Sequence, residues 1–236
     1  MRIAIVYPNE TSARRWQDAV AAELPDAQVS LWQPGSDHHA DHHADYAIGW
    51  APPPAFFAGQ PRLRAFFSTG AGVEHVIHNP ELPPHLPVIR IEDAGMGVQM
   101  VDYCRFEVLR WMQHRDQYIS QQAAGLWRQH SISLRDEWPI GVFGMGVLGR
   151  QVASAFAADG FPVNGYSRSA SVEANIRMFS DAHDAGQFEA FMQATRVLVI
   201  LAPLTPATVD KFGREALRML PPGSYVINIA RGGLIV

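Results

Sequence analysis

Short apolar runs and stripes of apolar residues at helical spacing alternate along this chain. Ile3 to Tyr7 reads as a buried first strand. Thr11 or Ser12 is placed to cap a helix that runs to about Leu24. Val29–Trp32, Tyr46–Trp50, Leu63–Ser68 and Pro87–Ile91 read as four further strands, punctuated by Pro52-Pro53-Pro54 and Pro83-Pro84. From Val98 to about Ala124, apolar residues at Val101, Cys104, Val108, Trp111 or Met112, and Ile119 recur at helical spacing. No proline interrupts them, which predicts one long helix leading from one domain into the next. Gly125 to Trp138 is irregular, with Arg128, Gln129, His130, Arg135 and Asp136 expected at the surface. Strands resume at Ile140–Phe143, Val163–Tyr166, Val197–Leu201 and Tyr225–Ile229, and Arg177–Phe179 fits the pattern least well. Helices fall near 147–159, 187–194 and 214–220, and Leu234-Ile235-Val236 reads as a strand-like tail.

Strand and helix in alternation imply parallel α/β architecture. A complete doubly wound nucleotide domain has about six strands. The second part supplies four clear ones and a fifth, so the chain is expected to stop inside its second domain.

Composition narrows the class. The 236 residues are 47% hydrophobic and 18% charged, with a net charge of −4, enough apolar material for two modest cores. That balance offers no nucleic-acid surface and no polybasic membrane patch. The N-terminal apolar run is too short for a signal peptide, and no stretch reaches the roughly 20 apolar residues of a membrane span. Cys104 is the only cysteine, which rules out an intrachain disulfide and fits a cytoplasmic location. Asp37-His38-His39-Ala40-Asp41-His42-His43-Ala44-Asp45 is dense in metal-ligating side chains. It reads as a solvated loop between strands, and no metal site is assigned to it.

Two motifs carry chemistry. Gly144, Gly146 and Gly149 form G-x-G-x-x-G between an apolar strand, Ile140–Phe143, and a helix-forming run, Gln151–Ala158. In that context the pattern reads as a cradle for a dinucleotide pyrophosphate. Gly144 permits the tight turn, Gly146 lets backbone approach phosphate, and Gly149 lets the helix pack on the strand. Val147 and Leu148 open the helix, whose free N–H groups and positive end face the anion. The slot after the next strand, Gly165-Tyr166-Ser167-Arg168-Ser169, holds no carboxylate to bind a ribose 2′-hydroxyl. Arg168 can instead clamp a 2′-phosphate with a bidentate fork, and Ser167 and Ser169 add hydroxyl donors. NADP(H) is therefore the preferred cofactor, with NAD(H) still usable. The second motif, Asn228-Ile229-Ala230-Arg231-Gly232-Gly233, follows a strand and puts Arg231 at the carboxyl edge of a sheet, where ligands of open α/β sheets bind. An arginine there can hold a carboxylate and polarise a carbonyl.

These motifs, with Ala47-Ile48-Gly49-Trp50-Ala51-Pro52-Pro53, Thr69-Gly70-Ala71-Gly72-Val73-Glu74, Asp93-Ala94-Gly95-Met96-Gly97-Val98-Gln99-Met100 and Leu201-Ala202-Pro203-Leu204-Thr205-Pro206, occur in one order over nearly the whole chain. In this the sequence resembles the D-isomer-specific 2-hydroxyacid dehydrogenase family, most closely its glyoxylate/hydroxypyruvate reductase A branch. The resemblance implies two doubly wound parallel-sheet domains. One is a flavodoxin-like substrate domain over 1–98, and the other a Rossmann NAD(P)-binding domain over 99–236, truncated at its C-terminus. It implies NADPH-dependent reduction of a small 2-oxo acid, such as glyoxylate or hydroxypyruvate, by hydride transfer.

By the same resemblance Gly70, Ala71, Gly72 and Val73 receive the substrate carboxylate on backbone N–H groups. Trp50 is a pocket wall, and Met96 and Met100 line the crossing between domains, Met96 toward substrate and Met100 toward cofactor. Pro203, Leu204, Thr205, Ile229 and Ala230 lie along the cofactor, and Arg231 is the catalytic arginine. The family's acid–base pair, a glutamate and a histidine, is expected beyond Val236, and a fragment without it is expected to be nearly inactive. His183 does not replace that histidine. A homodimer through the 98–138 helix and arm is implied, with Trp111, Trp127 and Trp138 suited to the contact. Two rivals stay open: a cofactor-sensing corepressor-like binding protein, and another dehydrogenase of the same fold, such as one acting on formate or phosphoglycerate.

Overall fold

The structure is a computed structural model that describes residues 1–35, 43–169, 171–182 and 184–236. His38, His39, His42 and His183 lie outside the described residues. Of the histidine–aspartate repeat, the described Asp45 serves the fold. Its carboxylate accepts from the Arg2 amide at 2.8 Å and pairs with Arg62 at 3.5 Å. The chain divides into two units, Met1–Glu92 and Asp93–Val236.

The first unit contains β1 (Arg2–Val6), α1 (Glu10–Glu23), β2 (Gln28–Leu31), β3 (Tyr46–Gly49), α2 (Pro54–Ala58), β4 (Ala65–Ser68), α3 (Glu74–Ile77) and β5 (Val88–Arg90). Its strands pair in parallel in the order β2-β1-β3-β4-β5. That is the flavodoxin-like order, and its switch point lies between β1 and β3. Both faces of β1 are covered. Ile3 and Ile5 pack with Ala13 and Val20 of α1, and Ala4 and Val6 pack with Phe56, Phe57, Phe66 and Val76. A strand buried on both sides reads as an unbroken apolar run, as Ile3–Val6 does. Helix α1 begins earlier than expected. Asn9, not Thr11 or Ser12, is the N-cap, and its side chain accepts from the Ser12 amide at 2.8 Å. An asparagine side chain satisfies the orphan first-turn donors as well as a hydroxyl does.

The second unit contains α4 (Met96–Met112), α5 (Arg115–Ala123), β6 (Ile140–Phe143), α6 (Val147–Ala158), β7 (Val163–Tyr166), β8 (Arg177–Phe179), α7 (Gln187–Gln193), β9 (Val197–Ile200), α8 (Arg214–Arg218) and β10 (Tyr225–Asn228). The parallel sheet runs β10-β9-β6-β7-β8. Numbered within the unit this is the Rossmann order, with its switch point between β6 and β9. One core, on the side of α4 and α6, is built from Val142, Val152, Phe156, Val197 and Val199. The other face packs Phe143, Phe191, Leu198, Ile200 and Phe212.

Several expectations are corrected here. The single helix over 98–124 is two helices, broken at His114, whose φ of +55° is left-handed. Histidine is among the residues that visit this region, so no glycine or proline marks the break. The Arg110–Asp116 ion pair, 2.9 Å, spans the corner. Met112, not Trp111, completes the buried stripe of Val101, Cys104 and Val108, and Ile119 is exposed. Trp138 is buried in the second unit's core, so it is not available for a subunit contact. His130 is half-buried, its amide donating to the Tyr118 hydroxyl at 2.9 Å. The tail is not a strand: Gly232–Leu234 is a single 3-10 turn, and Ile235 makes one bridge to Phe212.

Helix α4 is fastened to α6 at two points. Asp93 accepts from the Gly97 amide and from the Gln151 side chain, each at 2.8 Å, and Arg105 grips Asp159 through two bonds of 2.7 and 2.9 Å. The Gln151 bond, then the Gly97 bond, holds the Asp93 carboxyl below its usual range. A Cβ on Gly97 would stand 1.7 Å from Gln151 Oε1, so any larger residue there displaces the Gln151 amide that reaches Asp93.

Candidate coenzyme and substrate-anion sites

The first unit's site lies at the carboxyl ends of β3 and β4. Trp50 follows β3, and its indole crosses Gly70 so closely that a Cβ on Gly70 would lie 2.0 Å from Cζ3. The His75 ring packs against the same indole, tilted by 39° with centroids 3.8 Å apart. In the same unit the Tyr7 hydroxyl donates to Thr69 Oγ1, which donates to Gly49 O at 3.2 Å. Burial first, against the weaker pull of the Thr69 bond, raises the Tyr7 pKa. The loop leaving β4 has its carbonyls engaged: Ser68 Oγ donates to Gly70 O at 3.5 Å and Arg90 Nη1 to Ala71 O at 3.2 Å. Val73 O accepts from the amides of Val76 and Ile77. Among the described residues none accepts from the amides of Gly70, Ala71, Gly72 or Val73. A row of unused N–H groups on small residues is a receiver for an anion.

In the second unit the glycine motif sits at the switch point. Gly144 has φ +107°, and a Cβ there would lie 2.6 Å from Ala202 N, across the gap between β6 and β9. Gly149 closes the turn, since its Cβ would lie 1.9 Å from Gly144 O. Gly146 differs from both. Its Cβ would meet nothing within 4 Å, and it caps α6 with no side-chain hydrogen bond. Bare backbone facing open space at an uncapped helix start is what a pyrophosphate needs. Val147 is exposed beside it and Leu148 is half-buried.

Beyond β7, Ser167 is half-buried and Arg168 and Ser169 are exposed. Ser180 Oγ donates to Arg168 O at 3.1 Å and Ser167 Oγ donates to Ser169 O, so the loop backbone is braced and Ser167's hydroxyl is already engaged. Among the described residues no carboxylate pairs with the Arg168 guanidinium. Glu173, five residues on, is held instead by Arg150 of α6 at 2.7 Å. Tyr166 donates to Asp181 at 2.6 Å and stacks on Phe143. That bond depresses the Asp181 pKa, and burial followed by the same bond raises that of Tyr166.

The 203–205 loop is braced by Thr208, whose hydroxyl accepts from the Thr205 amide at 2.8 Å and donates to Pro203 O at 2.6 Å. Pro203 and Thr205 are exposed, and Leu204 packs toward Gly233. Arg231 is half-buried after β10. Asn228 staples its turn, accepting from the Ala230 amide at 3.1 Å and donating to Arg231 O at 2.8 Å. Ile229 packs on one core of the unit and Ala230 on the other. Met96 opens α4, half-buried, and Met100 packs partly buried against the second unit's core.

Sequence reasoning missed His75, Arg90, Thr208 and the Tyr166–Asp181 pair. His75 and Thr208 stand next to motifs that were noticed. Arg90 and Asp181 reach their partners across the sheet, which leaves no local signal.

A Rossmann-ordered sheet with a bare cradle at its switch point, joined in one chain to a flavodoxin-like sheet, defines the class: a two-domain dinucleotide-binding α/β protein. Residues 106–236 match the family model for the D-isomer specific 2-hydroxyacid dehydrogenase NAD binding domain. The chain is 38% identical over 222 residues to glyoxylate/hydroxypyruvate reductase A of Enterobacter sp. (strain 638), covering 92% of this chain and 69% of that protein. A D-isomer specific 2-hydroxyacid dehydrogenase from Xanthobacter autotrophicus Py2, solved with NADPH and MES, superposes with a TM-score of 0.90 at 29% identity, over 99% of this chain and 73% of that one. The NADPH-dependent glyoxylate/hydroxypyruvate reductase of Sinorhizobium meliloti, solved with NADP and sulfate, gives 0.87 at 30% identity, over 100% and 74%. The chain belongs to the D-isomer specific 2-hydroxyacid dehydrogenase family, in its glyoxylate/hydroxypyruvate reductase A branch.

Proposed function

We propose that the protein reduces small 2-oxo acids, glyoxylate and hydroxypyruvate among them, to 2-hydroxy acids with NADPH. The observation that carries this is the open space over Gly146 at the uncapped start of α6, with Arg168 beyond the next strand held by no carboxylate among the described residues. The relatives solved with NADPH or NADP support the same choice of coenzyme.

Gly144–Gly149 hold the coenzyme's pyrophosphate on backbone donors, and the helix end adds positive potential. Arg168 and Ser169 take the 2′-phosphate, and Pro203–Thr205, Ile229, Ala230 and Met100 flank the coenzyme. When bound, the coenzyme supplies a hydride. In the first unit Gly70–Val73 receive the substrate carboxylate, with Trp50 as a pocket wall. Arg231, its turn fixed by Asn228, orients and polarises the carbonyl. The histidine that protonates the carbonyl oxygen, and the glutamate that holds and charges it, are assigned to no residue from Met1 to Val236.

The enzyme works in the cytoplasm as a homodimer. No helix among the described residues is long and apolar enough to cross a membrane. Tyr103, Phe106 and Leu109 on α4 are exposed apolar residues, and Trp127 beyond α5 is 99% exposed, a surface suited to a second copy. Light scattering on the eluted peak reads the assembly, and a monomer rejects it.

The test of function is the full-length gene product with glyoxylate, followed by NADPH absorbance. Turnover with NADPH well above that with NADH is expected. Saturable coenzyme binding without turnover on any 2-oxo acid would replace this reading with the corepressor-like one.

A further inference from the structure

We infer that Arg90 is a positioning residue that locks the Ala71–Gly72 peptide with its N–H turned toward the substrate carboxylate. The inference rests on the proposed role of Gly70–Val73 as the carboxylate receiver. Register sets Arg90 where it can do this. It pairs with Ser68 at the last rung between β4 and β5, beside the point where the loop leaves the sheet. Its Nη1 donates to Ala71 O at 3.2 Å, and Nη2 lies 3.9 Å from Glu92 Oε1.

The peptide bonds here are trans. In a trans peptide the carbonyl and the next N–H point in opposite directions. Fixing Ala71 O on one side therefore aims the Gly72 N–H at the other. Ser68 Oγ, reaching Gly70 O at 3.5 Å, biases the Ala71 N–H in the same way more weakly. The lock matters because the second residue of the peptide is glycine. A peptide flip swings ψ of Ala71 and φ of Gly72, and glycine takes either sign of φ at little cost. A flipped peptide would present a carbonyl oxygen to a carboxylate. Small residues expose the donors and at the same time make their orientation easy to lose, and Arg90 removes that freedom.

The experiment compares wild type, Arg90→Met and Arg90→Lys in the full-length gene product. Met keeps the length of the stem and removes every donor. Loss of one charge-assisted bond at an exposed arginine predicts a KM for glyoxylate raised about five- to twentyfold. Uniform binding is what is lost, so kcat stays within about twofold. The Kd for NADPH and the melting temperature are unchanged, and Lys, which can still donate to Ala71 O, recovers most of the KM. A KM for Arg90→Met within about twofold of wild type overturns the inference, as does a loss shared with kcat. Arg90→Ser carries the same test if Arg90→Met does not fold. Wild-type protein that reduces no 2-oxo acid overturns the functional reading itself, and this inference with it.

Discussion

Exchanging Gly146 and Gly149 separately for alanine divides the cradle's two roles. At Gly149 a Cβ would stand 1.9 Å from Gly144 O and 3.6 Å from Val142 Cγ1. The first contact is with backbone, so α6 must move off β6. Overpacking of this kind costs about 1–3 kcal/mol, offset by up to about 1 kcal/mol from alanine's better helix propensity. A net loss of about 1–2 kcal/mol lowers the melting point by roughly 2–8 °C. At Gly146 the Cβ meets nothing within 4 Å, and φ of −76° suits any residue. Losing glycine at a cap and gaining a stiffer unfolded chain nearly cancel, so stability changes by less than about 1 kcal/mol. The methyl group nevertheless fills the space where phosphate meets backbone. Coenzyme affinity should fall about 10- to 100-fold, or about 1.4–2.7 kcal/mol. Thermal melts and calorimetric titration with NADPH read the two effects. A folded Gly146→Ala protein that binds NADPH within about twofold of wild type would falsify the assignment of this turn as the pyrophosphate site.

Other outcomes follow from single contacts. Arg168→Ala should weaken NADPH about tenfold or more and leave NADH nearly unchanged, since only the 2′-phosphate meets that side chain; equal losses for both coenzymes would reject the clamp. Asn228→Ala removes two bonds from the turn that holds Arg231. It should lower kcat with glyoxylate at least about tenfold while the NADPH Kd moves less than about threefold, and unchanged kinetics would show that Arg231 needs no brace. Burial pushes the Cys104 thiol up to about 12. Thiolate is the reactive form, so native protein at about pH 8 should resist alkylation until denatured, and prompt labelling would mean that α4 opens.

The chemistry was more legible in the sequence than the chain path. Gly144, Gly146, Gly149 and Arg168 act through local backbone shape and one side chain, so spacing and flanks were enough to find them. β1 and β6 were readable because a strand covered on both faces is a continuous apolar run. The corner at His114 was not, because a left-handed histidine leaves the apolar period on either side intact. Pro53 and Pro54 looked like punctuation, yet proline opens α2, whose Phe56 and Phe57 lie in the core. Arg90, Asp181 and Trp138 acquire their partners only when strands distant in sequence are laid side by side.

The most direct test is titration of purified full-length protein with NADPH and, separately, with NADH. Saturable binding of both is expected, with NADPH at least about tenfold tighter, the affinity a guanidinium adds on a 2′-phosphate. Equal affinities, tighter NADH, or no saturable signal with either would contradict it.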